Sequence, residues 1–175
     1  GRGLVYRPGE HGIAGFKLQP SSALYCGFGE KTGARLLKNG GALSNFNFDN
    51  FIYARAPVPP GEDGGPLNGA EPLYASIPLL IEINPAPGGA DPGPPYCYGL
   101  FLDNVSQSFF GLDGGGSYSF GALYGELDYY LFVGDKPADI VREFTELTGR
   151  SAMPPRYAFG YHQGCYGYFD RERLE

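Results

Sequence analysis

The chain has 175 residues, room for one ordinary domain or for one domain and a piece of a second. Glycine (29) and proline (16) make up about a quarter of it. The 14 tyrosines and 13 phenylalanines nevertheless exclude a disordered chain, and only 18% charged residues suits short strands joined by many turns. A net charge of −6 excludes nucleic acid and anionic membrane as main partners, since both need a basic footprint.

In chain order, Ile13 to Leu18 alternates and Ala23 to Phe28 reads as a brief strand entering a turn at Gly29. Ser44 to Tyr53 interleaves rings with Asn45, Asn47, Asp49 and Asn50, which favours a structured loop. Ala56 to Pro72 is a long Gly/Pro loop, and Leu73 to Asn84 is a strand with Leu79, Ile81 and Ile83 on one face. Pro78 must fall there at an edge or bulge, because it donates no ladder hydrogen bond. Tyr96 to Asp103, Ser108 to Phe110, Tyr118 to Leu123 and Glu126 to Val133 continue the strands, about ten residues apart, as in an antiparallel sandwich or barrel. Asp135 is then a good N-cap, Pro137 fits a first helical turn, and Ile140, Val141, Phe144 and Leu147 form a stripe that stops at Gly149. Beyond Pro154-Pro155, Tyr157 to Gly160 reads as strand-like, and Asp170 could cap a helix opening at Arg171.

No apolar run approaches the roughly 18 residues of a membrane span, no signal segment opens the chain, and a soluble protein is expected. The chain starts at Gly1 and closes on a helix barely begun, so a fragment of a longer polypeptide is expected. Cys26, Cys97 and Cys165 lack metal or redox spacing and read as free buried thiols in a reducing compartment, which favours the cytoplasm. No metal and no cofactor is expected from two histidines, His11 and His162, and His162 reads as packed or hydrogen-bonded. Two glycine-rich stretches, Gly27 to Gly33 and Gly111 to Gly116, lack the Lys-Ser/Thr order and the following helix of a phosphate loop. Glu30, Asp49, Asp103 and Asp128 are the candidate carboxylates; each serves a turn or a sugar. The stretch Ala158 to Tyr168, AFGYHQGCYGY, combines rings with polar edges, which suits either a sugar face or an aromatic core strand.

At these residues the chain resembles glycoside hydrolase family 31, the α-glucosidase family. GYHQGCYGY (Gly160 to Tyr168) is similar to the family's first barrel strand, and Leu147 to Tyr161 to the segment before it. YCGFGEKT (Tyr25 to Thr32), LYASIPLL (Leu73 to Leu80), GLFLDN (Gly99 to Asn104) and GELDYYLFVG (Gly125 to Gly134) fall in the family's order. The resemblance implies a galactose-mutarotase-like β-sandwich over residues 1–134, a linker helix over 135–149, and the start of a truncated (β/α)₈ barrel over 150–175. It implies a retaining α-glucosidase as parent, acting on α-glucoside oligosaccharides or polysaccharides. Both catalytic aspartates of that parent would lie on later barrel strands outside this chain, leaving it inactive alone and completed by the remainder of its own polypeptide. It also implies that Asp49 hydrogen-bonds the sugar in the cleaved subsite and that Tyr166 lines that subsite. A glucan lyase of the same family and a non-catalytic carbohydrate-binding sandwich are the alternative readings.

Overall fold

The computed structural model describes residues 5–9, 12–31, 36–47, 73–86, 93–112, 115–162 and 172. Among the described residues, nine strands form two antiparallel sheets: β1 (Val5–Gly9), β2 (Gly12–Leu18), β3 (Leu24–Gly29), β4 (Ala42–Asn45), β5 (Ser76–Asn84), β6 (Tyr96–Leu102), β7 (Ser108–Gly111), β8 (Ser117–Ala122) and β9 (Tyr129–Gly134). One sheet runs β1-β2-β8-β7-β4 and the other β3-β5-β6-β9. A single α-helix among the described residues, α1 (Pro137–Thr148), follows β9.

The layers follow from side-chain alternation. Leu80, Leu100 and Leu102 of the four-stranded sheet meet Phe110, Tyr118 and Phe120 of the other in one buried core. Edge-to-face ring pairs cross the gap, Phe28 to Phe110 at 5.3 Å and Tyr25 to Tyr118 at 5.7 Å. The opposite face of the four-stranded sheet presents Leu79, Ile81, Cys97 and Phe132 to Ile140 of α1. Strand β5 is thus covered on both faces, which is why its sequence is an almost unbroken apolar run.

The predicted face of Leu79, Ile81 and Ile83 is the helix-facing one. Pro78 sits in a bulge, opposite the β3 register shift between Gly27 and Gly29 and short of the first β6 pair at Leu79. Phe28, between those glycines, is fully buried with a φ of 67°. A side chain on Gly27 would strike the Leu79 carbonyl oxygen, and one on Gly29 the backbone of Ala75 and Ile77, so the two glycines let the bulge close.

Three expectations need correction. The N-cap of α1 is Lys136, not Asp135, because Asp139 accepts from the Lys136 N–H at 3.2 Å and returns its own N–H to the Lys136 carbonyl. Residues Arg156–Phe159 form a 3₁₀ turn with no buried side chain, not a strand; the preceding Pro-Pro pair sets an extended entry, and the rings of Tyr157 and Phe159 are exposed. The expected loop from Ser44 opens inside a strand, since β4 runs to Asn45 and pairs with β7. The stripe on α1 is half used: Ile140 is buried and Phe144 packs, while Val141 and Leu147 remain exposed. Gly149 ends the helix with a positive φ, as expected, its N–H bonding the Thr145 carbonyl.

Candidate functional site

The predicted site residues Asp49 and Tyr166 lie outside the described residues, as do His11 and Cys165. What is described is the platform from which the Asp49 segment departs. Strand β4 exits at one end of the sandwich, beside the start of β5 and the β6–β7 connection. Three hydrogen bonds lash its exit in place. The Ser76 hydroxyl accepts from the Phe46 N–H (3.0 Å) and donates to the Phe46 carbonyl (3.1 Å), and the Ser76 N–H donates to Asn47 Oδ1 (2.9 Å). Residue 47 is therefore fixed to the sheet two positions before Asp49.

The neighbouring connection is held as firmly. Asn104 Nδ2 donates to the carbonyls of Tyr124 and Glu126, both at 2.9 Å, while its Oδ1 accepts from the Ser106 N–H and hydroxyl at 2.8 and 2.7 Å. Between the two anchored stretches opens a cavity of about 250 Å³ lined by Asn45, Phe46, Asn47, Ser76, Pro78, Asn104, Val105, Ser106 and Ser108. Asn45 is 3% exposed, and neither its Oδ1 nor its Nδ2 has a hydrogen-bond partner among the described residues.

The remaining sequence candidates resolve into structural roles. Glu30 Oε2 accepts from the Ala75 N–H at 3.1 Å and the Glu30 N–H donates to the Ala75 carbonyl at 2.7 Å, a clamp across the β3–β5 bulge. Asp103 and Asp128 are joined through backbone, Asp103 N–H to Asp128 carbonyl at 2.9 Å, and both side chains are exposed. His162 Nε2 lies 2.9 Å from the Ala158 carbonyl, the hydrogen-bonded role expected of it. Cys26 and Cys97 are free. Burial pushes both thiols up, which keeps them protonated and unreactive near neutral pH. No group of three His, Cys, Asp or Glu side chains gathers among the described residues, and no helix there is long and apolar enough to cross a membrane.

A second polar constellation was not anticipated. Glu82, fully buried between the sheets, accepts from Lys17 at 3.3 Å, from Asn84 Nδ2 at 3.0 Å and from the Tyr98 hydroxyl. Tyr98 and Tyr118 are linked hydroxyl to hydroxyl at 3.0 Å, and the Lys17 ammonium lies 4.3 Å from the Tyr98 ring centre. The register explains the gathering: Glu82 lies opposite both Tyr25 and Tyr98 in its own sheet, and Lys17 opposite Tyr118 in the other. An acid inside the run LLIEIN is the signal that could have revealed it, since a buried carboxylate demands a partner. The identity of that partner, 65 positions away, is a tertiary fact.

Comparison with known proteins bears on this sandwich directly. The family described as the glycosyl hydrolase 31 N-terminal galactose mutarotase-like domain matches residues 6–110. The chain is 36% identical over 154 residues to alpha-glucosidase 2 of Bacillus thermoamyloliquefaciens, covering 87% of this chain and 17% of that protein. It is 36% identical over 104 residues to an alpha-glucosidase of Hordeum vulgare, covering 59% of this chain and 11% of that protein. Among solved structures, the α-1,4-glucan lyase of Gracilariopsis lemaneiformis superposes with a TM-score of 0.67 at 29% identity, over 86% of this chain and 17% of the lyase. A Flavobacterium johnsoniae dextranase complexed with isomaltotriose gives the same TM-score at 26% identity, over 89% of this chain and 16% of the dextranase. The chain spans about a sixth of the length of the α-glucosidase and of the lyase. With two antiparallel sheets, a family match over more than half its length and glycosidases as its relatives, the chain belongs to glycoside hydrolase family 31, of which it carries the N-terminal galactose-mutarotase-like β-sandwich.

Proposed function

We propose that the chain is the front portion of a retaining α-glucosidase that releases terminal α-linked glucose from oligosaccharides or polysaccharides. In this reading residues 1–134 are the sandwich, 135–149 the linker helix and 150–175 the start of a (β/α)₈ barrel whose remainder supplies both catalytic aspartates. The observation that carries it is the 36% identity with an α-glucosidase over 87% of the chain. The chain then contributes carbohydrate binding without cutting groups. Asp49, carried just beyond the Ser76-anchored stretch, accepts hydrogen bonds from sugar hydroxyls, and Tyr166 packs beside the same ring. Free thiols at Cys26 and Cys97 fit a reducing compartment, which favours the cytoplasm.

Removing a charged hydrogen-bond partner of the sugar costs about 1.5–3 kcal/mol. Asp49→Asn in the polypeptide continued through the barrel should therefore lower kcat/KM for maltose by roughly tenfold to a hundredfold. A change within a factor of about two removes Asp49 from the site. The structural likeness to a glucan lyase supports a second reading, elimination instead of hydrolysis at the same subsite. Product identification separates them: glucose for the hydrolase, anhydrofructose for the lyase.

A further inference from the structure

Strand β3 is an outer strand of its sheet, paired among the described residues only with β5, and a side chain closes its other edge. Asn39 Oδ1 accepts from the Tyr25 N–H at 3.0 Å, and Asn39 Nδ2 donates to the Ala23 carbonyl at 2.7 Å. The amide thus stands in for a neighbouring strand beside two buried residues, whose edge groups water does not reach. The Lys38 N–H adds a bond to the Tyr25 carbonyl at 2.8 Å. Three positions on, the Gly41 carbonyl accepts at 2.8 Å from the N–H of Leu112, a core residue just past β7 of the other sheet. Residues 38–41 are therefore a strap fastened to both sheets, and Asn39-Gly40 is its middle.

That middle is also a dipeptide chemically suited to lose ammonia, because a glycine nitrogen is unhindered. Gly40 is exposed, and a methyl group on it would meet nothing nearer than the Leu112 carbonyl oxygen at 4.0 Å, so a ring closing there has room. The Gly40 nitrogen gives its proton to water and attacks Asn39 Cγ. The Cγ–Nδ2 bond breaks, ammonia leaves, and a five-membered imide remains. Water then opens the imide at one carbonyl or the other, giving aspartate or isoaspartate. One water is consumed for each ammonia released, and nothing is oxidised or reduced.

We propose that Asn39-Gly40 is a deamidation site that the fold keeps latched and whose conversion unfastens the strap. The latch is the pair of bonds from the amide to β3, which must open before Cγ can turn to the attacking nitrogen. Aspartate at this position sets an oxygen where Nδ2 was, facing the Ala23 carbonyl oxygen with no proton between them. Isoaspartate also lengthens the main chain by one carbon between the Lys38 and Gly41 fastenings. Either product leaves the carbonyl of Ala23, a residue 3% exposed, without its donor. The site is independent of the carbohydrate reading.

The test incubates the 175-residue chain in warm, mildly alkaline buffer, folded and in urea, and follows Asn39 by peptide mass spectrometry. Conversion is expected in urea, about tenfold or more slowly in the folded chain, and more slowly in both for Gly40→Ala, which keeps the Asn39 amide. The converted chain, separated by its added negative charge and refolded, should exchange the Lys38 and Leu112 amide hydrogens about tenfold faster. Asn39→Asp should reproduce that acceleration, and the converted wild-type chain gives the same readout if the variant does not fold. No conversion of Asn39 in urea, equal rates folded and unfolded, or unchanged exchange in the converted chain would each overturn the proposal.

Discussion

Glu82 is where the two sheets are tied by charge. A carboxylate fully removed from water is tolerable only with a countercharge and bonded lone pairs, and Lys17, Asn84 and Tyr98 supply both. Lys17 keeps its own tip partly wet, with 17% of its side chain exposed, so it reaches in from the rim across two tyrosine rings. Lys17→Met strands the acid and should lower stability by about 3 kcal/mol or more in urea unfolding. A loss of under about 0.5 kcal/mol would show the pair to be no more than a surface contact. The tyrosines add a pH signature. Burial foremost raises the phenols of Tyr25, Tyr98 and Tyr118 above their ordinary range, with the charge of Glu82 adding to it; for Tyr118 the hydrogen bond with Tyr98 partly offsets this. Their folded pKa values exceed the unfolded value of about 10, so the folded state holds more protons above that pH. The stability they confer is complete below about pH 10 and is lost as pH rises beyond it. Tyrosine absorbance should thus show three phenols that ionise only as the chain unfolds; ordinary ionisation of all tyrosines in a still-folded chain would contradict this.

At the scale of elements, the helix is seated by one missing side chain. Gly99 of β6 lies beneath Ile140, and a methyl group there would fall on Ile140 Cγ2. Phe144 completes the dock by meeting Phe101 edge-on at 5.1 Å and Phe132 at 6.3 Å. Gly99→Ala should cost about 1–3 kcal/mol by overpacking, and Ile140→Ala about 2–5 kcal/mol by leaving a void. Thermal melts of the two variants check this, and a pair of unchanged midpoints would mean that α1 does not bear on sheet stability. These elements were readable in advance to different degrees, for physical reasons. The strand over Ser76–Asn84 announced itself because burial on both faces leaves it little but apolar residues, and Pro78 betrayed its own bulge by lacking an N–H. Strand β1 went unseen because Arg7, Pro8 and Gly9 carry no alternating pattern; its pairing with β2 organises it. Tyr157 and Phe159 looked like strand residues by composition, yet both are exposed on a 3₁₀ turn, since ring content says nothing about which surface covers the rings. For the site, Asp49 was named from its motif and lies outside the described residues, whereas nothing in the sequence marked Asn45, whose isolation depends on what β5 and β7 place around it.

The described residues stack as sheet, sheet and helix, with the central strands β5 and β6 of the middle sheet covered on both sides. Part of the exposed apolar surface gathers in β9, α1 and the stretch after them: Leu131 and Val133 on β9, Val141 and Leu147 on α1, and Met153, Tyr157, Phe159 and Tyr161 beyond. A surface of that kind fits the proposed barrel as its cover. In the proposed function this polypeptide furnishes a wall of a sugar pocket and none of the groups that break the bond. The direct measurement is nitrophenolate release from 4-nitrophenyl α-D-glucopyranoside by the purified 175-residue chain, beside the same chain continued through the barrel. Release at the blank rate is expected from the first and steady turnover from the second. Turnover by the 175-residue chain that disappears on heating, or none from the continued chain, would contradict it.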